Sequence, residues 1–79
     1  MPTLGQNIMK FRIDKRMKQK DLCESTGLPQ RYVSLVENDY VDPRLSIIQK
    51  IAKGLGVHPA LLLEGLNELS SDTLSLKEP

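Results

Sequence analysis

A chain of 79 residues with a 39% apolar share makes one domain, and with no tryptophan and a single phenylalanine its core must be small and aliphatic. No apolar run approaches the ~20 residues that cross a bilayer, the opening MPTLGQNIMKFR lacks the apolar stretch of a secretory signal, and one cysteine excludes an internal disulfide, which agrees with a reducing, cytoplasmic compartment. The net charge of +1 hides an asymmetry: residues 1–53 carry ten Lys/Arg against six Asp/Glu, whereas residues 54–79 carry one lysine against four acids.

The first predicted helix runs from Leu4 to Lys15, with Thr3 as N-cap. Leu4, Ile8 and Phe11 lie on one stripe, and Met17 closes the corner after it. A second helix is expected from Gln19 to Ser25. A third begins at Pro29 or Gln30, where the missing proline N–H does no harm, and ends near Glu37 before the Asn38-Asp39 turn signal. After a loop over residues 39–43, Asp42 is expected to cap a fourth helix with Pro43 at its first position. Leu45, Ile48, Ile51, Ala52 and Leu55 form its inward face, and Gly56 stops it. His58-Pro59 opens a short fifth helix that carries Leu62 and Leu63 and ends at Gly65. From Leu66 to Pro79 the chain is Ser-rich without a strong period, and a fraying tail is expected there. The expected architecture is an all-α, compact five-helix domain over residues 1–65 followed by a tail over 66–79.

The segment from Gln19 to Asn38, QKDLCESTGLPQRYVSLVEN, is the most informative. Leu22 and Cys23 face inward in its first half, and Val33 and Val36 in its second. Thr26-Gly27-Leu28 lets one helix stop and another leave steeply, because glycine reaches positive φ without a Cβ penalty. Cys23 is expected to be the small residue where the two helices cross. This pattern is a helix-turn-helix, whose second helix can enter the DNA major groove. Gln30, Arg31, Ser34 and Leu35 are left facing outward. Arginine can fork onto guanine O6 and N7, and glutamine onto adenine N6 and N7, each pair discriminating by ~1–3 kcal/mol. The positive N-terminal part suits a phosphate backbone. The same lysines also serve as ordinary solvated helix surface, so the charge supports the motif without replacing it.

These residues give the chain its resemblance to the Cro/cI-type (XRE) helix-turn-helix family, the lambda-repressor-like DNA-binding domain, over about Leu4 to Leu63. The matching features are Leu4-Gly5, Arg12, Met17, Gln19-Lys20-Asp21-Leu22, Gly27-Leu28, Tyr32-Val33-Ser34, Val36-Glu37-Asn38, Pro43 and Ile51 to Val57. The resemblance implies that Gln30, Arg31, Ser34 and Leu35 read bases, and that Gln19 bonds a phosphate and helps fix Gln30. It further implies phosphate contacts from Asn38, Tyr40 and Arg44, and a structural ion pair between Arg12 and Glu37, while the charge of Lys18 adds an expected phosphate contact of this chain's own. Four positions depart from the pattern. Lys18 replaces the usual hydroxyl cap, Pro29 replaces a hydroxyl before the recognition helix, Asp39 stands where glycine is common, and Leu35 replaces a polar reader. The departures bear on the target sequence, not on the binding mode.

Ile47, Ala60, Leu61, Leu66 and Leu69 are more apolar than a monomer surface requires. The resemblance places a two-fold contact at the fifth helix, so a homodimer on double-stranded DNA, with a palindromic operator, is expected. Intramolecular burial of the tail is the competing use of those leucines. The function that follows is a transcriptional regulator of repressor or controller type. The alternative is an antitoxin-type interaction module that wraps a toxin with Leu61 to Leu76 and binds its own operon. One His, one Cys, no phosphate-cradling glycine loop and no metal-ligand spacing argue against an enzyme, a metal and a cofactor, and no small-molecule ligand is evident. Cys23 reads as a core residue, His58 as a turn cap, and Asp39 and Asp42 as turn formers. The Ser/Asp tail also resembles the start of a linker, so a longer repressor is a further expectation.

Overall fold

Five α-helices follow one another in the computed structural model, which describes residues 2–65. They are α1 (Leu4–Asp14), α2 (Gln19–Thr26), α3 (Gln30–Glu37), α4 (Leu45–Leu55) and α5 (Pro59–Leu62), with no strand among the described residues. The expected tail, with Leu66 and Leu69, lies outside them.

Local chemistry sets most of the boundaries. Thr3 Oγ1 accepts the Gln6 N–H at 3.1 Å while Gln6 Oε1 accepts the Thr3 N–H at 3.0 Å, a reciprocal box that satisfies two donors at the start of α1. Lys18 cannot accept a hydrogen bond and gives α2 no side-chain cap. The Asp21 carboxylate instead accepts the Lys18 N–H at 2.8 Å and sits favourably in the first turn. Gly27 ends α2 at φ 77° and Gly56 ends α4 at φ 74°. Pro29 occupies the extended N-cap position of α3, so the helix begins at Gln30.

Two expectations for α4 are corrected. Arg44, in extended conformation, is the N-cap, and no side chain caps the helix. Asp42 therefore lies two residues before the cap, out of reach of the first free N–H groups, and Pro43 precedes the helix. Leu45, assigned to the inward face, is 60% exposed. A helical Cβ leans toward the N-terminus, so the first residue projects past the helix end and its packing partners.

The buried core comprises Ile8, Leu22, Val33, Val36, Ile48, Ile51, Ala52, Leu55 and Leu62, contributed by all five helices. A four-residue α5 cannot stand alone. It is held by buried Leu62, by His58 Nδ1 accepting the Ala60 N–H at 3.0 Å, and by Asn7, whose Nδ2 donates to the carbonyls of Leu62 and Glu64, both at 2.8 Å. The helix stops at Leu62, and the chain turns with positive φ at the expected Gly65.

Cys23 is half-buried and packs against the core from α2, while α2 and α4 meet closely at a different residue. That residue is Gly54, where a Cβ would lie 2.5 Å from Thr26 Cγ2 and 2.9 Å from Ser25 Oγ. A helix that must meet another helix's backbone-proximal side chains so closely has room for hydrogen only. Cys23 keeps its thiol protonated: burial pushes its pKa above the ordinary 9.0, and the Glu37 charge pushes in the same direction.

Candidate nucleic-acid interface

The geometry of the interface is organised by one buried carboxylate. Glu37, at the end of α3, is 2% exposed. Its Oε2 accepts Arg12 Nε at 2.6 Å, and its Oε1 accepts Arg12 Nη2 at 3.2 Å and Gln19 Nε2 at 2.9 Å. Arg12 Nη1 also donates to the Met17 carbonyl at 2.8 Å. One fork-shaped pair therefore joins α1, the corner before α2, the start of α2 and the end of α3. Taking both charges from water costs several kcal/mol, and the arrangement stands because both carboxylate oxygens and all three guanidinium nitrogens are hydrogen-bonded. The Arg12–Glu37 ion pair is thus present as expected.

The same cluster engages Gln19. Its amide Nε2 donates to Glu37, a charged acceptor that makes the stronger hydrogen bond. Gln19 is half-buried and remains at the mouth of α2.

On α3, Val33 and Val36 are buried and Gln30 and Arg31 are exposed at the leading end. Ser34 is half-buried. Leu35, expected to face fully outward, is also half-buried, where the chain doubles back over the helix end. There the Asp39 N–H reaches the Val36 carbonyl and the Tyr40 N–H the Leu35 carbonyl, a Schellman pattern with Asp39 in the left-handed position at φ 63°. Asn38 Nδ2 donates to the Ser34 carbonyl at 2.8 Å and finishes the helix. Tyr40 is 76% exposed, and Lys18 and Arg44 are exposed. The α3 residues and the loop from Asn38 to Arg44 are continuous in sequence, and the Glu37 cluster joins the end of α3 to the start of α2 near Lys18.

Sequence reading assigned Asp39 only a turn. Its carboxylate in fact accepts the Thr3 hydroxyl at 2.6 Å and the Gly5 N–H at 3.1 Å, fastening the loop after α3 to the start of α1. The Gly5 position admits no Cβ, which would sit 2.6 Å from the Glu37 carbonyl oxygen. Asn7 was missed as well. Its only signal was a polar residue one step before buried Ile8 on the inward side of the first helix. Of the expected dimer residues, Ile47 and Leu61 are half-buried and Ala60 is exposed, while Leu66 lies outside the described residues. Among the described residues no group of His, Cys, Asp and Glu is placed to hold a metal, and no helix is long and apolar enough to cross a membrane.

A helix seated on the core by its apolar side, with polar and basic groups at its free leading end and a second helix braced behind it, defines a helix-turn-helix DNA-binding domain. The family pattern described as helix-turn-helix, HTH_3, matches residues 8–62, and the chain belongs to this XRE-type family. It is 30% identical over 61 residues to the immunity repressor protein of Bacillus phage phi105, covering 77% of this chain and 42% of that protein. It is 40% identical over 60 residues to a hypothetical transcription factor of Neisseria meningitidis serogroup B, covering 76% and 57%. It is 36% identical over 61 residues to the control protein C.BamHI of Bacillus amyloliquefaciens, covering 76% and 75%. The chain thus matches about half the length of the first two relatives. Among solved structures, the restriction-modification controller C.AhdI of Aeromonas hydrophila superimposes with a TM-score of 0.73 at 32% identity, over 75% of this chain and 89% of that one. SinR, a master regulator for biofilm formation solved in complex with DNA, gives 0.74 at 27% identity, over 78% and 100%. These relatives are regulators, not enzymes.

Proposed function

We propose that this chain is a sequence-specific transcriptional regulator of repressor or controller type, acting in the cytoplasm as a homodimer on a palindromic operator. The observation that carries the reading is the exposed leading end of α3, with Gln30 and Arg31 outward while Glu37 anchors the trailing end to Arg12 and Gln19. A rigid polar helix end of this kind costs little further ordering on binding. Gln30 and Arg31 read base edges, with Ser34 and Leu35 contributing from the half-buried flank. Lys18, Gln19, Asn38, Tyr40 and Arg44 hold the phosphate backbone on either side. Ile47, Ala60 and Leu61, with Leu66 of the tail, supply the two-fold contact, which sets the two recognition helices ~34 Å apart.

The test is selection of bound duplexes from a random pool, followed by titration of the best site in rising salt. A two-fold-symmetric consensus whose affinity falls steeply with salt is expected. Binding to no duplex, or binding indifferent to salt, would reject the reading.

A further inference from the structure

Among the described residues, two that are not glycine adopt the left-handed conformation, Asp39 at φ 63° and Arg16 at φ 58°. Each occupies the same place in a Schellman helix end. After α1 the Arg16 N–H reaches the Ile13 carbonyl at 2.8 Å and the Met17 N–H the Arg12 carbonyl at 3.0 Å. An L residue carries a steric penalty in this conformation that glycine escapes. At Asp39 the penalty is offset inside the domain by the hydrogen bonds to Thr3 and Gly5. At Arg16 only backbone hydrogen bonds hold the conformation: the side chain is exposed and makes no hydrogen bond or ion pair among the described residues.

The corner that carries Arg16 is nevertheless rigidly placed. Arg12 Nη1 holds the Met17 carbonyl while the same guanidinium grips Glu37 at the end of the recognition helix, and Glu37 holds Gln19 at the start of α2. Arg16 is thereby indexed to α3 through two hydrogen-bonded links. It also sits in a run of exposed cations, Lys15, Arg16, Lys18 and Lys20, flanked by exposed Asp14, which makes no ion pair with Arg16, and by Asp21, which is turned to the Lys18 backbone. The left-handed backbone at this position would suit glycine better, yet it carries an exposed guanidinium that is unpaired among the described residues and held in register with α3. Strain of this sort is retained where function uses it.

We propose that Arg16 is a DNA-contacting residue, its guanidinium bonding a backbone phosphate on the strand that faces the start of α2. The inference rests on the DNA-binding reading above. A phosphate accepts two guanidinium N–H groups in one plane, so the contact fixes orientation as well as adding charge.

Arg16→Gly separates this role from a structural one because the two effects have opposite signs. Relief of the left-handed strain is expected to raise Tm by ~2–5 °C. Loss of the phosphate contact is expected to lower affinity for the selected duplex about five- to thirty-fold at low salt, equally on specific and unrelated duplexes, and to reduce the slope of log K against log salt by about one. Arg16→Lys, which keeps the charge, is expected to restore the slope and part of the affinity. Unchanged affinity and slope in Arg16→Gly overturn the proposal, as does a loss of affinity that tracks a fall in Tm. Failure of the wild-type chain to bind any duplex would instead bring down the DNA-binding reading itself, so the two failures are told apart by the wild-type titration.

Discussion

Glu37 is the residue on which the interface turns, since its two oxygens serve Arg12 and Gln19 and it has almost no solvent to fall back on. Glu37→Gln leaves the Arg12 guanidinium buried without its counter-charge, and a loss of about 3–5 kcal/mol in urea unfolding is expected. Replacing both partners by methionine removes the uncompensated charge, so the double variant is expected to be more stable than either single one. A sum of the two single losses in the double variant would show that the pair is not a coupled unit. Arg31 is the opposite case, exposed and outside the core. Arg31→Ala is expected to leave Tm within about 1 °C and to flatten preference at one base position by ~1–3 kcal/mol, read from binding to single-base variants of the selected site. Uniform weakening on every duplex would mark it as a phosphate contact. Cys23 gives a third residue-level expectation, in pH. Its thiol pKa is raised above 9.0 in the folded chain, so the folded state holds the proton more tightly than the unfolded one. The resulting stability is present in full below about pH 9 and is lost as pH rises through the folded value. Urea midpoints taken from pH 7.5 to 10.5 should therefore fall more steeply for the wild type than for Cys23→Ala. Identical slopes would mean that the thiol ionises as freely folded as unfolded.

At the scale of elements, two glycines answer to different physics. Gly27 needs its backbone conformation and has open space where a Cβ would go, whereas Gly54 is helical and has no space. Gly27→Ala is expected to cost about 1–2 kcal/mol through the left-handed penalty alone. Gly54→Ala gains up to ~1 kcal/mol of helix propensity but must push α2 away at Thr26, and a net loss of about 1–3 kcal/mol is expected. If thermal unfolding found Gly54→Ala stabilising, the close α2–α4 approach would be refuted. This contrast also marks what was legible before the structure. Gly27, Gly56, Thr3 and His58 announce helix ends because capping is settled within a few residues, and the alternation of Val33 and Val36 with Gln30 and Arg31 exposes the faces of α3. Gly54, Asn7 and the Asp39 carboxylate act across long stretches of chain, so no local period records them. Leu45 misled for the converse reason: the 3.6-residue spacing holds, but spacing says nothing about where the partner helices end. Asp42 misled because a good capping residue beside a proline was read without the extended Arg44 that intervenes.

For the whole molecule the decisive question is assembly, because a single eight-residue recognition helix reaches only one half-site. Exposed Ala60 and half-buried Leu61 lie on α5, which Asn7 and Leu62 fix to the body of the domain, so a contact made there would be transmitted rigidly to α3. Linking two half-site binders makes the second contact intramolecular, and losing that link weakens binding to the full site by about 10²–10⁴-fold while leaving half-site affinity untouched. Leu61→Glu places an unpaired charge in the proposed contact, and Ala60→Glu does the same at a position whose side chain is not needed by the core. Both variants are expected to sediment as monomers, to keep a wild-type circular dichroism spectrum, and to bind full and half sites with nearly equal strength. A dimer that survives both substitutions, with full-site affinity unchanged, would move the two-fold contact to another face of the domain and with it the spacing expected between half-sites.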